Sequence, residues 1–168
     1  LNGAKNNFIG DRNELGRNII SGNTGDGIEI TGAEAEGNRV QTNYIGVNAT
    51  NTGAIPNGGN GVRVTTGAKR NLIGLDAADD PKTIRFYNII ANNGLAGIAV
   101  ESSALTGMAL MNNIIRDNGG LGIDLGAAGV TLNDPGDADT GPNNLQNYPK
   151  LTTVSRSGGV VTIQATLD

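Results

Sequence analysis

Three segments of the chain share one order of apolar and polar positions. Each begins with Asn and two Ile residues, passes through a short polar spacer to a second Asn and a Gly-rich turn, and ends with apolar residues at alternate positions after a Gly. These copies cover residues 18–30, 88–100 and 113–125. The second and third copies are offset by 25 residues throughout, which predicts one coil of a repeat structure of about that length.

Variants of the same unit fill the interval between the first two copies. Since Asn18 and Asn88 stand 70 residues apart, we expect about three coils between them. The variants are Gly37-Asn38-Arg39-Val40, Asn43-Tyr44-Ile45-Gly46, Asn60-Gly61-Val62-Arg63-Val64 and Arg70-Asn71-Leu72-Ile73-Gly74. The last of them resembles the segment 6–10, which suggests a longer repeat of several coils.

The apolar triplets predict short strands. In Ile28-Glu29-Ile30 and Val62-Arg63-Val64 apolar residues alternate with a charged one, as expected for strands with one buried face. Stacked in parallel, such strands would form continuous buried columns of Ile, Val and Leu. Asn and Gly mark the turns because both accept left-handed backbone angles, and equivalent Asn side chains can stack as amide ladders.

Other architectures fit the pattern less well. A disordered, Asn- and Gly-rich chain does not explain the phased Ile-Ile and Gly-Ile pairs. A leucine-rich repeat needs a regular Leu skeleton, and a helical solenoid needs a 3.6-residue period that the frequent Gly residues oppose. The sequence therefore predicts an all-β fold, a right-handed parallel β-helix (β-solenoid) over residues 1–150, followed by a C-terminal β-hairpin over residues 151–168.

The predicted hairpin has one apolar face. Val161, Ile163, Ala165 and Leu167 alternate with polar residues after the turn at Gly158-Gly159. A two-stranded hairpin is marginal by itself, and an apolar face with an open edge favours a partner. The hairpin is expected to fold back on the solenoid, to hang free, or to pair with another molecule.

The stretch from Asn18 to Val64 resembles bacterial right-handed parallel β-helix repeat proteins. Segments similar to Asn-Ile-Ile-Ser-Gly-Asn, Asn-Tyr-Ile-Gly and Pro-Asn-Gly-Gly-Asn-Gly-Val recur in these proteins, many of which are secreted or anchored at the cell surface. The resemblance covers residues 1–150 and implies an extracellular or cell-surface location. It does not imply one function, because the same fold carries lyases, epimerases, tailspikes and adhesins. In resembling proteins, segments similar to residues 151–168 often begin a following β-sandwich.

Composition narrows the classes of partner. The net charge of −4 and the scattered arrangement of the 12 basic residues argue against nucleic acid. Without Cys the chain has neither disulfides nor thiolate metal sites. No apolar stretch approaches the length of about 18 residues that a membrane span requires. Leu1 already stands inside a repeat-like segment, which is expected of a mature chain or a fragment of a longer surface protein.

An acidic segment follows the last coil and is a candidate metal site. Asp134, Asp137 and Asp139 lie within a stretch bent by Gly and Pro, and hard cations such as Ca²⁺ bind carboxylate, amide and carbonyl oxygens on flexible loops. Asn133 and Asn143 are further candidate ligands. The segment lacks the bidentate Glu of an EF-hand, and the alternative is an Asx-rich turn that ends the solenoid. Two other polar loops, residues 48–53 and 76–82, are candidate binding surfaces or plain solvated turns.

Catalytic residues are not evident. Acid–base chemistry on polysaccharides needs several charged groups on adjacent coils, but Asp26 and Asp117 lie in predicted turns. Glu29 and Asp124 lie in the middle of apolar triplets and are expected to face solvent as wall residues rather than as a pair. The chain has no His and few aromatic residues to stack on sugars. The sequence therefore predicts a non-catalytic structural or adhesive protein, with a carbohydrate-active or glycan-binding β-helix as the alternative.

The ends of the predicted solenoid are candidate contact sites. A solenoid end exposes apolar side chains and unpaired strand edges, and no amphipathic capping helix is evident near the N-terminus. End-to-end self-association into filaments is therefore one expectation, and flanking domains of a longer protein are the other. The candidate assembly residues are Phe8 and Ile9 in the first coil and Val161, Ile163, Ala165 and Leu167 in the hairpin.

Overall fold

The computed structural model describes residues 1–11, 14–75, 87–104 and 107–167. Its solenoid is built from twelve short strands, three to each of four coils: β1 (Phe8–Gly10), β2 (Ile19–Ile20), β3 (Ile28–Ile30), β4 (Arg39–Gln41), β5 (Tyr44–Ile45), β6 (Val62–Val64), β7 (Leu72–Gly74), β8 (Asn88–Ala91), β9 (Ile98–Glu101), β10 (Ala109–Met111), β11 (Asn113–Arg116) and β12 (Ile123–Gly126). Strands β13 (Lys150–Ser157) and β14 (Val160–Thr166) follow. Within the described ranges no helix is long and apolar enough to cross a membrane.

Each coil contributes one strand to each of three parallel sheets. Sheet 1 has the order β1-β4-β7-β10, sheet 2 the order β2-β5-β8-β11, and sheet 3 the order β3-β6-β9-β12. Successive strands of a sheet are linked by crossovers, for which a right-handed path is the rule. The predicted all-β parallel β-helix with a C-terminal hairpin is therefore confirmed.

The coils vary in length more than the sequence repeat suggested. Equivalent Asn residues of sheet 2 are separated by 25 residues between Asn18 and Asn43 but by 45 residues between Asn43 and Asn88. Asn18 and Asn88 are thus two coils apart, and the expectation of three coils was wrong. Part of the difference is an insertion after β5, which leaves the stacked strands unchanged, and the residues from 76 to 86 lie outside the described part of the chain.

One insertion is the predicted loop after β5. It leaves the wall at the bridge between Val47 and Ala54 and is closed by Asn48, which donates its backbone N–H to Gly53 O at 2.9 Å and accepts the Thr52 N–H on Oδ1 at 3.0 Å. The second predicted loop, residues 76–82, lies outside the described residues.

Four columns of apolar side chains run along the solenoid axis and form most of the described core. Pairing in register stacks one inward residue of each coil on the next. The columns are Ile9-Val40-Ile73-Leu110, Ile20-Ile45-Ile90-Ile115, Ile28-Val62-Ile98-Ile123 and Ile30-Val64-Val100-Leu125. The members from the second and third coils are completely buried. Since burial of each such side chain contributes about 1.5–3 kcal/mol, these columns hold the coils together.

The predicted amide ladders are present at three corners. Ladder 1 contains Asn7, Asn38 and Asn71, ladder 2 contains Asn18, Asn43, Asn88 and Asn113, and ladder 3 contains Asn23, Asn57, Asn93 and Asn118. In ladder 2, Asn43 Oδ1 accepts the side-chain N–H of Asn18 at 2.9 Å and its backbone N–H at 3.3 Å, while Asn43 Nδ2 donates to Asn88 Oδ1 and to Ile9 O. An interior rung therefore has all of its amide atoms hydrogen-bonded inside a wall that excludes water.

The left-handed backbone conformation falls on the residue before the ladder Asn. Thr42 (φ 63°), Arg70 (φ 50°) and Asn92 (φ 60°) precede Asn43, Asn71 and Asn93, respectively. Asn or Gly takes this conformation at Gly37, Asn92 and Asn112, as expected of residues that accept left-handed angles, whereas Thr42 and Arg70 take it at two other rungs. The ladder Asn contributes its amide, because this short side chain presents both a carbonyl acceptor and an NH₂ group with two donors to the adjacent coils.

A glycine column permits the tight approach of coils in sheet 3. A Cβ at Gly61 would lie 2.3 Å from Ile90 Cγ2 and 2.6 Å from Gly97 O. At Gly27, Gly61 and Gly97, the Gly before the apolar triplet therefore reflects packing against the next coil and the Ile column of sheet 2.

The C-terminal end of the solenoid is covered at one corner. Asn143, in the turn Pro142–Leu145, accepts the Met108 N–H on Oδ1 at 3.0 Å and donates Nδ2 to Met108 O at 2.9 Å. Met108 occupies the ladder 1 position of the fourth coil, so Asn143 takes the place of a fifth rung. The neighbouring Leu145 side chain lies against Gly126 at the end of β12.

The hairpin is amphipathic, as predicted. Ala165, Ile163 and Val161 pair with Leu151, Val154 and Arg156 and share one face with them. A bulge between Leu151 and Thr153 places Leu151 and Val154 on that face although they are three positions apart. All described residues of the two strands are exposed to solvent, so this apolar face does not pack on the solenoid.

We expect Asn43→Ala to lower the free energy of unfolding by about 2–4 kcal/mol, because it leaves buried donors and acceptors of two adjacent coils without partners. Asn18→Ala removes the corresponding side chain from the exposed end of the same ladder and is expected to cost about 1 kcal/mol or less. Urea unfolding measures both, and equal losses would contradict the ladder as a source of stability.

Candidate functional site

The three predicted aspartates form one cluster. The carboxylate oxygens of Asp134, Asp137 and Asp139 lie within 4.8 Å of one another. Asn147 holds the loop in place: its side chain donates to Asp134 O at 2.7 Å and accepts the Asp134 N–H at 3.1 Å, while its backbone N–H binds Asp137 Oδ1 at 2.8 Å. Asn147 is buried, and these hydrogen bonds fix the positions of Asp134 and Asp137.

The charges in this cluster are poorly compensated by the protein. Asp134 Oδ1 and Asp139 Oδ1 are buried and have no hydrogen-bond partner. Desolvation, followed by the negative charges of Asp134 and Asp137, raises the pKa of Asp139 above its ordinary value. The two oxygens without donors, Asp134 Oδ1 and Asp139 Oδ1, suit a hard cation such as Ca²⁺, and the three aspartate side chains would hold it.

The two predicted asparagine ligands are engaged elsewhere. The Asn133 side chain donates to Tyr148 O at 2.7 Å and accepts the Tyr148 N–H at 3.1 Å. The amide of Asn143 forms the rung on Met108 described above. Both residues stabilise the segment around the cluster, and the aspartates alone form the candidate cation site.

A groove runs along the outer face of sheet 3 near the C-terminal end. Its volume is about 770 Å³. The lining includes the segment 126–130 and the side chains of Leu95 and Leu121. Glu101 and Asp124, from adjacent coils, line it together with Ser102 and Ser103. The sequence did not predict this groove. Nothing in the run Gly126-Ala127-Ala128-Gly129 indicates that these residues line a groove together with Asp124 of β12.

The carboxylates in the groove are not arranged as an acid–base pair. Arg63 Nε donates to Glu101 Oε1 at 2.7 Å and lowers the pKa of Glu101, with a further hydrogen bond from Thr65. Glu101 is therefore ionised near neutral pH and unsuited to act as a general acid. Asp124 Oδ2 accepts the Gly129 N–H at 3.1 Å, which links the segment 126–130 to β12. Asp124 Oδ1 is buried and has no hydrogen-bond partner among the described residues.

The remaining carboxylates considered from the sequence are dispersed. Asp26 accepts the backbone and side-chain N–H groups of Asn60, so it works as a ladder residue at the start of the sheet 3 corner. Asp117 pairs with Arg116 in a turn. Glu29 and Asp124 lie in β3 and β12, at opposite edges of sheet 3, and thus do not form a pair, as expected.

The predicted assembly residues lie at the exposed ends of the molecule. Phe8 is 62% exposed on the edge strand β1, and Ile9 packs inward but stays partly exposed. On the hairpin, Val161, Ile163 and Leu167 are 56–60% exposed, and Ala165 is also exposed. The structure does not bring the two groups together within one molecule.

Comparison of the chain with models of known families, with characterised proteins and with solved structures finds no match. The functional argument therefore rests on the geometry described above.

We expect millimolar Ca²⁺ to raise the melting temperature, because a cation would compensate the converging carboxylates. Asp139→Asn should abolish this response and should not destabilise the protein in chelator, since it removes like-charge repulsion. Glu34→Gln changes an exposed carboxylate that does not belong to the cluster. This variant is the control and should keep the rise in melting temperature with Ca²⁺. Calorimetry that detects no Ca²⁺ binding, with identical melting in chelator, would contradict the site.

We expect the Arg63–Glu101 pair to stabilise the protein only above acidic pH. Because the pKa of Glu101 is lowered on folding, its contribution is present above the unfolded value near 4.5 and is lost as the pH falls through the folded value. Both side chains are about one third exposed, so Arg63→Gln should cost about 0.5–1 kcal/mol at pH 7 and nothing at strongly acidic pH. Urea unfolding across pH measures this difference. A cost that does not depend on pH would show that Arg63 acts through packing.

Proposed function

We propose that this protein is a non-catalytic, extracellular structural subunit that assembles end to end through its solenoid ends and its C-terminal hairpin. The observation that carries the proposal is the exposed apolar face of the hairpin formed by Leu151, Val154, Val161, Ile163 and Ala165. Apolar faces of this kind mark interaction sites in soluble proteins.

The ends of the solenoid add to the drive for association. Ile123 continues a column whose interior members are buried, yet it is 42% exposed, and Ile9, Ile20 and Leu125 are also incompletely covered. Each such side chain gains part of the roughly 1.5–3 kcal/mol of full burial when another surface covers it. Association costs reduce this gain, so contacts at both the coil ends and the hairpin support a stable joint better than either one.

The proposed partner for the hairpin is the N-terminal coil of another copy. Phe8 and Ile9 present an apolar edge there, and the hairpin of the same chain does not pack on the solenoid. A contact between two different surfaces is heterologous, and when the rotation does not close a ring it generates a filament.

An extracellular location fits the candidate cation site. Exposed aspartate loops with few ligands bind Ca²⁺ weakly, with dissociation constants of about 10⁻⁴–10⁻³ M in extracellular modules. Such a site would fill outside the cell, where it would fix the segment that joins the solenoid to the hairpin.

A second candidate function is glycan binding in the groove of sheet 3. The observation that favours it is the polar lining of the groove, which includes the carboxylates of Glu101 and Asp124 and the hydroxyl groups of Ser102 and Ser103. Sugar hydroxyl groups could form hydrogen bonds with these side chains. The groove lining offers no aromatic ring for stacking, which makes this function the weaker of the two.

We expect electron microscopy of the purified chain at neutral pH with Ca²⁺ to show ordered filaments. Ile163→Lys on the apolar hairpin face should leave dispersed short rods, because a charge cannot be buried in the joint. Thr162→Lys adds the same charge to the polar face and serves as the matched control that should still assemble.

Deletion of residues 160–168 should likewise leave monomers. Filaments that persist after this deletion would rule out the hairpin as the joint. Dispersed rods for the unaltered chain would overturn the structural proposal and turn attention to glycan binding by the groove.

A further inference from the structure

We infer that three Asn–Gly sequences are latent deamidation sites, which stay intact while the coils are stacked, react once a coil opens, and then prevent that coil from stacking again. These interior Asn–Gly pairs are Asn57-Gly58, Asn60-Gly61 and Asn93-Gly94, in the second and third coils. Each lies between two described coils, so its surroundings do not depend on what adjoins the ends of the chain.

Asn is a chemically labile residue, and a following Gly makes it more reactive because Gly has no Cβ to hinder its backbone nitrogen. That nitrogen, once it has lost its proton, attacks Cγ of the Asn side chain. The C–N bond to the side-chain NH₂ group breaks, ammonia leaves with a proton taken from water, and a cyclic succinimide remains. Water then opens the ring to Asp or to isoaspartate, so the net change converts Asn and water into Asp and ammonia.

In the stacked coils the attacking nitrogen of each interior Asn–Gly pair is hydrogen-bonded to a neighbouring coil. The N–H groups donate from Gly58 to Asn23 O at 2.8 Å, from Gly94 to Asn57 O at 2.8 Å and from Gly61 to Ala96 O at 3.0 Å. Loss of the proton would break this bond between coils and leave a negative charge against a carbonyl oxygen, which makes the first step of the reaction costly.

The side chains under attack are held as well. Asn57, Asn60 and Asn93 are 0%, 9% and 1% exposed, respectively. Asn57 Nδ2 donates to Ile20 O at 3.0 Å and to Asn93 Oδ1 at 2.8 Å, while Asn57 Oδ1 accepts the side-chain N–H of Asn23 at 2.8 Å. Since the amide reaches both adjacent coils, its Cγ cannot turn toward the Gly nitrogen without breaking bonds on both sides.

Asn60 is held in the same way at another corner. Its Nδ2 donates to Asp26 Oδ1 at 3.0 Å in the first coil, and its Oδ1 accepts the Ala96 N–H at 3.1 Å in the third coil. This amide therefore also bridges the coils on its two sides.

The stack requires both residues of a reactive pair. A Cβ at Gly58 would lie 2.3 Å from Thr24 O, and a Cβ at Gly94 would lie 2.4 Å from Gly58 O. Gly61 is required for the packing described above, and the Asn residues supply the bridging amides. The reactive sequence thus follows from tight stacking, and its protection comes from the same contacts.

Deamidation of an opened coil removes what the stack needs. Asp at position 93 would lack the Nδ2 donor that reaches Asn118 Oδ1 at 2.9 Å, and would bury a carboxylate near Ile45 O. Isoaspartate carries the main chain through its Cβ, which lengthens the backbone and disturbs the register of the coil. Opening of a coil, otherwise reversible, therefore becomes permanent.

The first test follows deamidation of the full chain in mildly alkaline buffer, with and without guanidinium chloride, by mass spectrometry of its proteolytic peptides. In guanidinium chloride the interior Asn–Gly pairs should react at the rate of unprotected Asn–Gly peptides. In buffer alone they should react at least about a hundredfold more slowly, because reaction waits for a coil to open. Equal rates in the two conditions would overturn the inference.

A variant that weakens the stack without changing a reactive pair tests the cause of the protection. Asn43→Ala should speed deamidation of the interior Asn–Gly pairs in buffer at least about tenfold, because opened coils become more populated. Asn18→Ala, at the end of the same ladder, is the matched control and should change the rates less. If Asn43→Ala does not fold, guanidinium chloride below the unfolding transition replaces it, and unchanged rates would show that stacking is not the protection.

Refolding tests whether deamidation makes opening permanent. Chains held in guanidinium chloride at mildly alkaline pH should regain less β-structure on dilution, measured by circular dichroism, in proportion to their deamidation. Chains held in the same denaturant at mildly acidic pH, where the Gly nitrogen keeps its proton, are the control and should refold. Asn93→Asp should lower the free energy of unfolding, whereas Asn144→Asp makes the same change at an exposed position and should not. Complete refolding of deamidated chains would overturn this part of the inference.

Discussion

Stacking of the coils in register is the constraint on which the rest of this structure depends. A strand of two to four residues has no stability alone, so every sheet, apolar column and amide ladder exists only because the next coil repeats it. The ladders make the register specific. A shift of one residue would turn the inward Ile and Val side chains outward and would separate buried amides such as Asn43 and Asn88 from their partners.

The same constraint distinguishes the outer coils of the structure from the interior ones. An interior rung is satisfied on both sides, whereas an end rung lacks a neighbour on one side. The protein covers this deficit only in part: Asn143 supplies a rung on Met108, and Leu145 covers Gly126. The apolar face of the hairpin is also exposed to solvent.

Sequence reasoning identified the repeated features and missed the unrepeated ones. The apolar triplets, the Asn ladders and the hairpin face follow from local periodicity, and the structure contains all three. The number of coils between Asn18 and Asn88 was overestimated, because insertions at corners change the spacing without changing the stack. The bulge near Thr153, the rung formed by Asn143 and the groove beside Asp124 depend on contacts between segments that share no repeat.

The sequence by itself determined that this chain forms a parallel β-helix with an amphipathic hairpin. A strand with one buried face has alternating apolar and polar residues, and stacked coils have a repeated sequence, so both features can be recognised in the sequence. It also placed Asp134, Asp137 and Asp139 close enough in the chain to meet. Only the tertiary structure decided which corners of the end are covered, which way the amide ladders point and which oxygens of the cluster are left without donors. These properties arise from the relative positions of distant backbone segments, which local sequence patterns do not encode.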